Sequence, residues 1–553
     1  MYMKKFFCLL CFAIALPAMA QTDNSQHNFE VSKQLEIFNS LYKELDLYYV
    51  DTLNAKENVD NAINYMLGVL DPYTVYYAEE NSDELRQMTT GKYAGIGSLI
   101  SFRTSAKRCI IAQPYENMPA AEAGLQAGDV ILAQDGKDYG EAEEGKENDY
   151  TNRVSASLRG EPGTSFELTV RRYGVEKPIT LRLTRRTINL PNVILAKMVD
   201  DEVGYVLLDG YKEQTVRDLR RAIVELKQQG MKSLVLDLRG NPGGLLEQAA
   251  EMVNLFLPKG LEVASLKGKS EQTANVYRTA AEPLDTDMPV AVLTSYSTAS
   301  AAEVTAGALQ DYDRAVVVGQ KTYGKGLVQQ PRSLPYNTIV KITTAKYYIP
   351  SGRCIQAYKY KDGLPQHLPD SLSKEFKTRG GRTVRDAGGI TPDVEVKPDS
   401  LPTLLTYLDA DDALYDWCAA YRKAHPAIAE PETFSLSDAE YADLKAFLKE
   451  RNFSYDTRSK AALDLLRQIA KSEGYADVTQ EEFAALEAKL AHNQAYDFEK
   501  WEPEIRELVE GRLVEMYYYD RGASAYALRH DPELQAALRV LKSPTEYRRI
   551  LGK

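Results

Sequence analysis

The alternation of short apolar strands with amphipathic helices between residues 203 and 330 constrains the fold of this chain more than any other feature. Short apolar runs bounded by turn residues predict buried strands, and apolar residues recurring every three or four positions predict helices. Strands that alternate with helices in this way favour a largely parallel α/β sheet. The predicted strands are 204–208, 233–238, 289–294 and 315–318, and the predicted helices are 214–229, 245–255 and 301–310.

The second of these strands runs into a glycine-rich turn, RGNPGG at 239–244, which opens the next helix. Parallel α/β sheets place their sites at such strand ends, and free N–H groups of the turn can face an anion, including the oxyanion of a tetrahedral intermediate. The turn lacks the G-K-S/T of a phosphate-binding loop. On these residues alone, a simple tight turn between strand and helix is the favoured interpretation.

The next strand end carries Ser295, Ser297 and Ser300, and Ser300 stands immediately before a helix. Because Ser300-Ala-Ala-Glu303 fits a capping box, local sequence alone favours a helix cap. A nucleophile at this position would gain from the positive end of the helix dipole, and the N–H of Ala301 would lie beside it as an oxyanion donor.

Lys325 follows the strand at 315–318 and is flanked by Gly324 and Gly326. Such a lysine is most often a solvated turn residue. To act as a base it must be neutral, against an ordinary pKa of about 10.4, and burial in an apolar site lowers a lysine pKa by several units.

Motifs for metal-dependent or histidine-dependent hydrolysis are missing from the sequence. Neither an H-E-x-x-H motif nor a cysteine/histidine cluster is present to hold a metal. The five histidines, which would be the commonest bases, all lie away from the glycine-rich strand ends: His27, His367, His425, His492 and His530. A serine with a lysine base remains as the arrangement that could activate a nucleophile.

The N-terminus predicts export. Lys4 and Lys5 precede an apolar run at 6–16, and Ala18-Met19-Ala20 is a signal-peptidase site, so residues 1–20 are predicted to be a signal peptide. Lipid attachment at Cys11 is a less favoured alternative. Loss of two lysines and no acidic residue changes the net charge from −12 to −14, which argues against nucleic acid as a partner.

Three cysteines remain in the predicted mature chain, Cys109, Cys354 and Cys418. An odd number excludes a complete disulfide framework and leaves either one bridge or three unpaired thiols, of which the thiols are favoured.

Residues 91–186 predict a small β-rich domain. The segment PAAEAGLQAGDVILAQDGKDY at 119–139 contains a short helix, a glycine turn and a strand. This resembles a PDZ domain, and the resemblance implies that Tyr93, Gly95, Ile96 and Gly97 form the loop that binds a peptide's terminal carboxylate while the peptide adds to the sheet as a strand. The alternative is that the glycines only permit a tight turn.

Helices are predicted on both sides of the α/β region. Residues 29–88 show helical spacing, interrupted by the turn LDPYTVYY at 70–77, and an amphipathic pair of this kind usually buries one face. After Pro402 no strands are predicted, and capping boxes begin helices at Ser437 and Thr479.

Taken together, the motifs resemble the C-terminal processing peptidases, also called tail-specific proteases, across roughly residues 29–396. The matching motifs occur in the family's order: LDPYT, the PDZ segment, DLRGNPGG, STASAAEVTAGALQD, TYGKGLVQQ, TTAKYYIPSGR and GITPDVEV. The resemblance implies a multidomain α/β protein with a ClpP/crotonase-like peptidase core, an inserted β-rich PDZ domain, and helical N- and C-terminal regions.

The resemblance also implies the site. Ser300 corresponds to the nucleophile, Lys325 to the base and Gln329 to the residue that orients the lysine amine. Ala301 and one of Gly243 and Gly244 correspond to the oxyanion donors. No metal and no cofactor are implied.

The expected domains are a signal peptide at 1–20, a helical region at 21–90, a PDZ domain at 91–186, a serine peptidase core at 187–400 and a helical region at 401–553. The favoured hypothesis is an exported, periplasmic serine endopeptidase that recognises protein C-termini, with apolar tails expected. A non-catalytic PDZ adaptor for exported proteins is the alternative. No transmembrane segment is expected in the mature chain, and homo-oligomerisation stays open.

Overall fold

A computed structural model describes residues 3–79, 90, 92–397, 401–455, 458–490 and 494–553, so the predicted boundaries at 90/91 and 400/401 fall at least partly outside the described residues. Its first elements are helices α1 (Met3–Tyr48) and α2 (Ala55–Gly68) and strand β1 (Val75–Tyr77). Helix α1 passes through the predicted signal-peptide boundary without a break. The predicted helical segment at 80–88 lies outside the described residues.

The two N-terminal helices do not bury an apolar face, which differs from the expectation for an amphipathic pair. Phe29, Leu35 and Phe38 of α1 are exposed, and none of the residues of α2, all of which the structure describes, is buried. The predicted turn at Asp71 is confirmed, and it leads into β1, which pairs antiparallel with a later strand at 339–348.

The PDZ region forms a sheet with the order β3-β4-β5-β7-β8, with β6 beside β5. Strands β2 and β9 pair with each other where the chain enters and leaves this region. Because β3 is the first strand in the order, one of its edges is open among the described residues. The elements are β2 (Lys92–Gly95), β3 (Ser98–Arg103), β4 (Arg108–Pro114), α3 (Pro119–Glu122), β5 (Val130–Gln134), β6 (Lys137–Asp138), α4 (Glu147–Leu158), β7 (Ser165–Arg171), β8 (Ile179–Thr184) and β9 (Arg186–Asn189).

The following region contains the predicted alternation of strands and helices. Its elements are β10 (Val193–Met198), β11 (Val203–Leu208), α5 (Thr215–Gln228), β12 (Ser233–Asp237), α6 (Leu246–Asn254), β13 (Glu262–Gly268), β14 (Asn275–Arg278), β15 (Val290–Thr294), α7 (Ala301–Asp311), β16 (Val316–Gly319), β17 (Leu327–Ser333), β18 (Ile339–Tyr348) and, further on, β23 (Val394–Glu395). A six-stranded sheet runs β10-β11-β12-β15-β16-β23 and is parallel except at β10, which confirms the predicted sheet.

A second, antiparallel sheet has the order β1-β18-β13-β14, with β17 also paired to β18. Every residue of α7 is buried, and apolar residues of this helix share a core cluster with Leu236 and Val292 of the parallel sheet and with Tyr347 of the antiparallel sheet. The N-terminal strand β1, which pairs with β18, therefore belongs to the same structure as the α/β region. The turn that precedes this strand, Asp71 to Thr74, is part of the same structure.

From its content of Gly, Lys and Arg, the stretch that follows Gln356 and runs to about residue 387 is expected to be a polar loop, and this expectation is wrong. Short antiparallel hairpins form there, β19 (Tyr358–Lys361) with β20 (Leu364–His367) and β21 (Glu375–Lys377) with β22 (Thr383–Arg385). Their strands are short and largely exposed, so they lack the apolar alternation on which strand prediction depends.

The C-terminal region is helical, as predicted, and no strand occurs in the described parts of 401–553. Its helices are α8 (Thr403–Ala410), α9 (Asp412–Ala424), α10 (Asp438–Glu450), α11 (Arg458–Ser472), α12 (Gln480–Leu490), α13 (Gln494–Lys500), α14 (Glu502–Ala527), α15 (Pro532–Leu541) and α16 (Pro544–Ile550). The capping box at Ser437 is confirmed.

Helix α15 is part of the core. Leu534 and Leu538 pack with Val235, Leu293 and Val318, which are the residues on the face of the parallel sheet opposite α7. Alternate residues of each strand therefore face α7 and α15, as the two-residue period of a strand requires.

Cys109, Cys354 and Cys418, the three cysteines of the predicted mature chain, are free, and Cys109 and Cys418 are buried. No helix among the described residues is long and apolar enough to cross a membrane.

Candidate active site

Ser300 occupies the junction between β15 and α7 with an unusual backbone. Its φ is 56° and its ψ is −119°, a conformation that a residue with a Cβ rarely adopts. Strain of this kind costs about 1–3 kcal/mol and concentrates at functional sites. The sharp turn leaves the Ser300 side chain partly exposed at the sheet edge, while Ala301 behind it is buried.

Two other hydroxyl residues of this turn, Ser295 and Thr298, hold its shape. The Ser295 hydroxyl accepts from the N–H of Gly240 at 3.2 Å, and the Thr298 hydroxyl donates to the carbonyl of Leu238 at 2.7 Å. Both bonds join the serine turn to the glycine-rich turn. Ser295 and Thr298 are therefore structural, which distinguishes these two residues from Ser300.

Glu303 connects Ser300 to the loop that carries Lys325. Its Oε2 accepts from the backbone N–H of Ser300 and of Lys325, each at 2.8 Å. Its Oε1 accepts from the N–H of Gly324 at 2.7 Å and from the Thr322 hydroxyl at 2.5 Å. One carboxylate thus fixes the two backbones relative to each other.

This role of Glu303 was not predicted from the sequence, where the residue was assigned only to the capping box. Burial raises the pKa of Glu303 to about 7, and the hydrogen bonds from Thr322, Lys325, Gly324 and Ser300 act in the opposite direction. The signal was present, because Glu303 is the only acidic residue within the otherwise apolar first turns of α7, where an unpaired carboxylate would be strongly destabilising.

Tyr347 of β18 makes a second connection between the same two residues. Its hydroxyl donates to the carbonyl of Ser300 at 3.2 Å and also contacts the carbonyl of Lys325. The structure therefore brings Ser300 and Lys325 together, from strand ends that are adjacent in the parallel sheet.

The environment of Lys325 favours its neutral form. Burial, together with the positive charge of Lys341, lowers the pKa of Lys325 to about 8, while Glu303 and Asp71 act in the opposite direction. Within the described chain, the Lys325 amine forms no ion pair that would hold it charged. A lysine in this state can accept a proton near neutral pH.

Gln329 lies in a hydrogen-bonded chain that leads to the N-terminal segment. Its Nε2 donates to the Thr343 hydroxyl at 3.1 Å, and that hydroxyl donates to Asp71 at 3.2 Å. With its nitrogen used in this way, the Gln329 carbonyl oxygen is the atom left to accept from a lysine amine. The described residues include no direct hydrogen bond between Gln329 and Lys325.

Gly243 and Gly244 of the RGNPGG turn differ in whether their backbone N–H groups are already hydrogen-bonded. A Cβ on Gly243 would lie 2.8 Å from the N of Ala301 and 2.8 Å from the Ser300 Cβ, so only a glycine leaves this space open. The N–H of Gly243, however, donates to the Asn241 side chain at 2.9 Å. The N–H groups of Gly244 and Ala301 have no acceptor among the described residues, so these two groups are free to donate.

Of the residues predicted to form the carboxylate-binding loop, Tyr93 and Gly95 instead lie in strand β2, which pairs with β9, and only Ile96 and Gly97 form the connection to β3, the PDZ loop. Gly97 has a φ of 71° and packs so closely on Met118 that a Cβ would lie 2.5 Å from that side chain. Ile96 is buried, and the Tyr93 ring lies beside Gly95 with the Arg159 guanidinium 5.4 Å from its centroid. The loop leads directly into β3, the strand with the open edge.

Comparison with known proteins agrees with this arrangement. The profile of peptidase family S41 matches residues 202–366, the PDZ domain profile matches residues 110–172, and the profile described as a probable PDZ-protease, C-terminal helical domain matches residues 404–541.

Several named proteases are similar over most of their length. The carboxy-terminal-processing protease of Bartonella bacilliformis is 34% identical over 377 residues, which span 67% of this chain and 84% of that protein. The carboxy-terminal processing protease CtpA of Bacillus subtilis is 31% identical over 376 residues, 66% of this chain and 78% of that protein. Among solved structures, the photosystem II D1 C-terminal processing protease is 28% identical, with a TM-score of 0.35 over 65% of this chain and 87% of that chain.

The serine-centred site, the S41 and PDZ matches and the extent of these similarities agree with one another. The chain belongs to the carboxy-terminal-processing proteases of peptidase family S41 and is a serine-type peptidase.

Proposed function

We propose that this protein is an exported serine endopeptidase that recognises protein C-termini through its PDZ domain and cleaves peptide bonds with Ser300 as nucleophile and Lys325 as base. The observation that carries the proposal is the pair of bridges from Glu303 and Tyr347 to the backbones of both residues. Gln329 orients the lysine amine, and Ala301 with Gly244 or Gly243 provides the oxyanion donors.

In the first half of the reaction, neutral Lys325 takes the proton of the Ser300 hydroxyl as the oxygen attacks the substrate carbonyl carbon. The negative charge that forms on the carbonyl oxygen faces the backbone donors. Collapse of the tetrahedral intermediate breaks the C–N bond, and the Lys325 ammonium protonates the leaving amine. This leaves an acyl group on Ser300 and a neutral lysine.

In the second half, Lys325 takes a proton from water as the hydroxide attacks the acyl carbon. Collapse of this intermediate releases the carboxylic acid product and returns the proton to Ser300. No metal and no cofactor take part in this proposal, since the chain's own lysine supplies both proton transfers.

Covalent labelling of Ser300 tests the proposal against a non-catalytic adaptor. A fluorophosphonate probe is expected to modify one peptide, the one containing Ser300, in wild-type protein, and to label the Lys325→Ala variant far more slowly. Cleavage of a protein with a C-terminal tail is measured on the same preparation. An unlabelled protein that still binds the tail would favour the adaptor.

We predict that kcat/KM rises with pH with a midpoint near 8. The base must be neutral to accept a proton, so activity is lost as pH falls through the pKa of about 8 that burial gives Lys325. The measurement is kcat/KM for one tailed substrate between about pH 6 and pH 10, with protein stability checked at each pH. A flat profile over that range would contradict the assignment of Lys325.

A cleft lies between the PDZ region, helix α5 of the α/β region and helix α14 of the C-terminal region. Its volume is about 660 Å³, and its walls include Met118, which packs on Gly97, and Asp209, which precedes the segment that binds the RGNPGG turn. In that segment, the N–H of Tyr211 donates to the carbonyl of Gly243 at 3.0 Å. The cleft therefore extends from the Met118 side of the PDZ region to the strand end that precedes the segment bound to the RGNPGG turn.

Amidation of the substrate's C-terminus is expected to raise KM about tenfold or more with little change in kcat, because the PDZ loop loses a charged acceptor. The measurement compares one substrate protein carrying a free carboxylate with the same protein carrying a carboxamide. A Gly97→Val variant should reduce the difference, since its loop conformation requires glycine. Equal KM values for the two substrates with wild-type protein would exclude carboxylate capture.

The finer features of the proposal follow from the sequence. Residues 1–20 would direct the chain to the periplasm, and apolar tails would fit the open edge of β3. The proposed core is of the ClpP/crotonase-like type, supported by its mostly parallel sheet with helices on both faces. The exposed apolar residues of helix α1 support self-association of the protein through this helix.

A further inference from the structure

The N-terminal segment places an aromatic ring on the amine of Lys325. The Nζ of Lys325 lies 4.3 Å from the centroid of the Tyr73 ring, within the range of a cation–π contact. Tyr73 belongs to the turn between α2 and β1, which the chain makes long before the peptidase core begins. Neither the capping box nor the strand pattern of the core points to this residue.

The backbone of Tyr73 is fixed by Asp71. One oxygen of the Asp71 carboxylate accepts from the N–H of Tyr73 and of Thr74, each at 2.8 Å, and the other accepts from the Thr74 hydroxyl at 3.0 Å. The N–H of Thr343 donates to the Thr74 hydroxyl at 3.1 Å, which ties the turn to β18. The turn is therefore held by hydrogen bonds on both of its sides.

The ring itself is fixed by two other tyrosines. The Tyr360 hydroxyl donates to the Tyr73 hydroxyl at 3.1 Å, and the Tyr73 hydroxyl donates to Tyr323 at 3.3 Å. The Tyr73 and Tyr360 rings meet edge to face with centroids 5.9 Å apart. Because Tyr323 precedes the Gly-Lys-Gly turn, the same ring contacts both the lysine amine and the loop that carries it.

We propose that Tyr73 is a positioning residue for Lys325, which holds the amine in place and separates it from bulk water. The inference rests on the proposed function, because it concerns the base assigned there. Three charged groups also face the Lys325 amine: Lys341 from β18, Glu303 from α7 and Asp71 from the N-terminal turn. Tyr73 differs from these in covering the amine with an apolar surface.

Two opposite effects of the ring make the proposal testable. The ring shields the amine from water, which disfavours the ammonium, and its electron-rich face attracts the ammonium. Tyr73→Ala removes both effects and admits water, so the midpoint of the pH–rate profile should rise. Tyr73→Leu keeps apolar bulk but removes the electron-rich face, so its midpoint should fall.

The experiment measures kcat/KM against pH for wild type, Tyr73→Ala, Tyr73→Leu and Tyr73→Phe. We expect midpoint shifts of roughly half a unit or more, upward for alanine and downward for leucine. At neutral pH a shift of this size should cost the alanine variant about threefold or more in kcat/KM, and Tyr73→Phe, which keeps the ring, should recover most of that loss. Tyr475→Ala is the matched control, because Tyr475 is an exposed tyrosine in the C-terminal region.

A second readout does not depend on turnover. In a Ser300→Ala background, the rate of acetic anhydride labelling of the Lys325 amine, followed by mass spectrometry across pH, reports the pKa of that lysine directly. The pKa should shift in the same directions in the Tyr73 variants. If a variant fails to fold, as judged by thermal unfolding, the remaining variants still test the predicted sign.

Unchanged midpoints in the alanine and leucine variants would overturn the inference, and so would a phenylalanine variant as impaired as alanine. These outcomes differ from failure of the proposed function. Full activity of Lys325→Ala would show that another group is the base. An inactive Lys325→Ala together with unshifted Tyr73 variants would reject the role of Tyr73 alone.

Discussion

Ser300→Ala is expected to lower kcat for cleavage of a tailed protein by about 10⁴- to 10⁶-fold, the range seen when a serine protease loses its nucleophile. Lys325→Ala should produce a loss of similar size, since an unactivated serine hydroxyl is a poor nucleophile. The double variant should be no worse than the poorer single variant, because the two residues act in one proton transfer. Substrate binding at the PDZ domain should persist in all three proteins.

Ser297→Ala is the matched control for Ser300. Ser297 lies in the same turn, and its backbone N–H donates to the Ser295 hydroxyl at 3.3 Å, so its side chain can be removed without removing that bond. We expect this variant to keep wild-type turnover. If Ser300→Ala retained activity while Ser297→Ala lost it, the nucleophile would have been assigned to the wrong serine.

Glu303→Gln is expected to give the second largest effect, a loss of about 10²- to 10³-fold in kcat with little change in KM. The carboxylate accepts hydrogen bonds on both oxygens, so either orientation of a glutamine puts an N–H group against two donors. Each buried donor left without an acceptor costs about 1–3 kcal/mol. The Lys325 loop should then shift relative to Ser300, which slows the proton transfer and leaves substrate binding intact.

A second capping box in the same chain supplies the control for this prediction. At the start of α10, Glu440 accepts from the N–H of Ser437 at 2.7 Å, which repeats the contact between Glu303 and Ser300 far from the site. Glu440→Gln should affect thermal stability only slightly and leave kcat unchanged. Equal kcat values for Glu303→Gln and wild type would mean that Glu303 only caps its helix.

The sequence was sufficient to predict the parts of the molecule that depend on local pattern. The parallel strands 203–208, 233–237 and 290–294 were predicted within one residue, because buried strands are short apolar runs with clear turn residues at their ends. Ser300 and Lys325 were selected by excluding histidine and metal sites and by resemblance. Their proximity agrees with adjacent strand ends in a parallel sheet.

Contacts between distant segments were not predictable in the same way. Nothing in the pattern around Tyr73 shows that its ring meets Lys325, because that contact depends on β1 pairing with β18. The hydrogen bond from the Gly243 N–H to the Asn241 side chain likewise depends on the folded turn and cannot be read from the motif. The exposed face of α1 differs from expectation because periodicity predicts an apolar face but not what covers it.

Helix α15 packs on one face of the parallel sheet. This packing affects the order in which parts of the chain can complete their contacts. Arg239, at the start of the RGNPGG turn, pairs with Asp531 and Glu533 at the beginning of α15, nearly 300 residues later. A chain made from its N-terminus has completed both Ser300 and Lys325 well before it makes these partners. Until they arrive, one face of the sheet is exposed and Arg239 lacks two of its three carboxylates. The ion pairs of Arg239 and the second face of the parallel sheet are therefore completed only when the last part of the chain has been made.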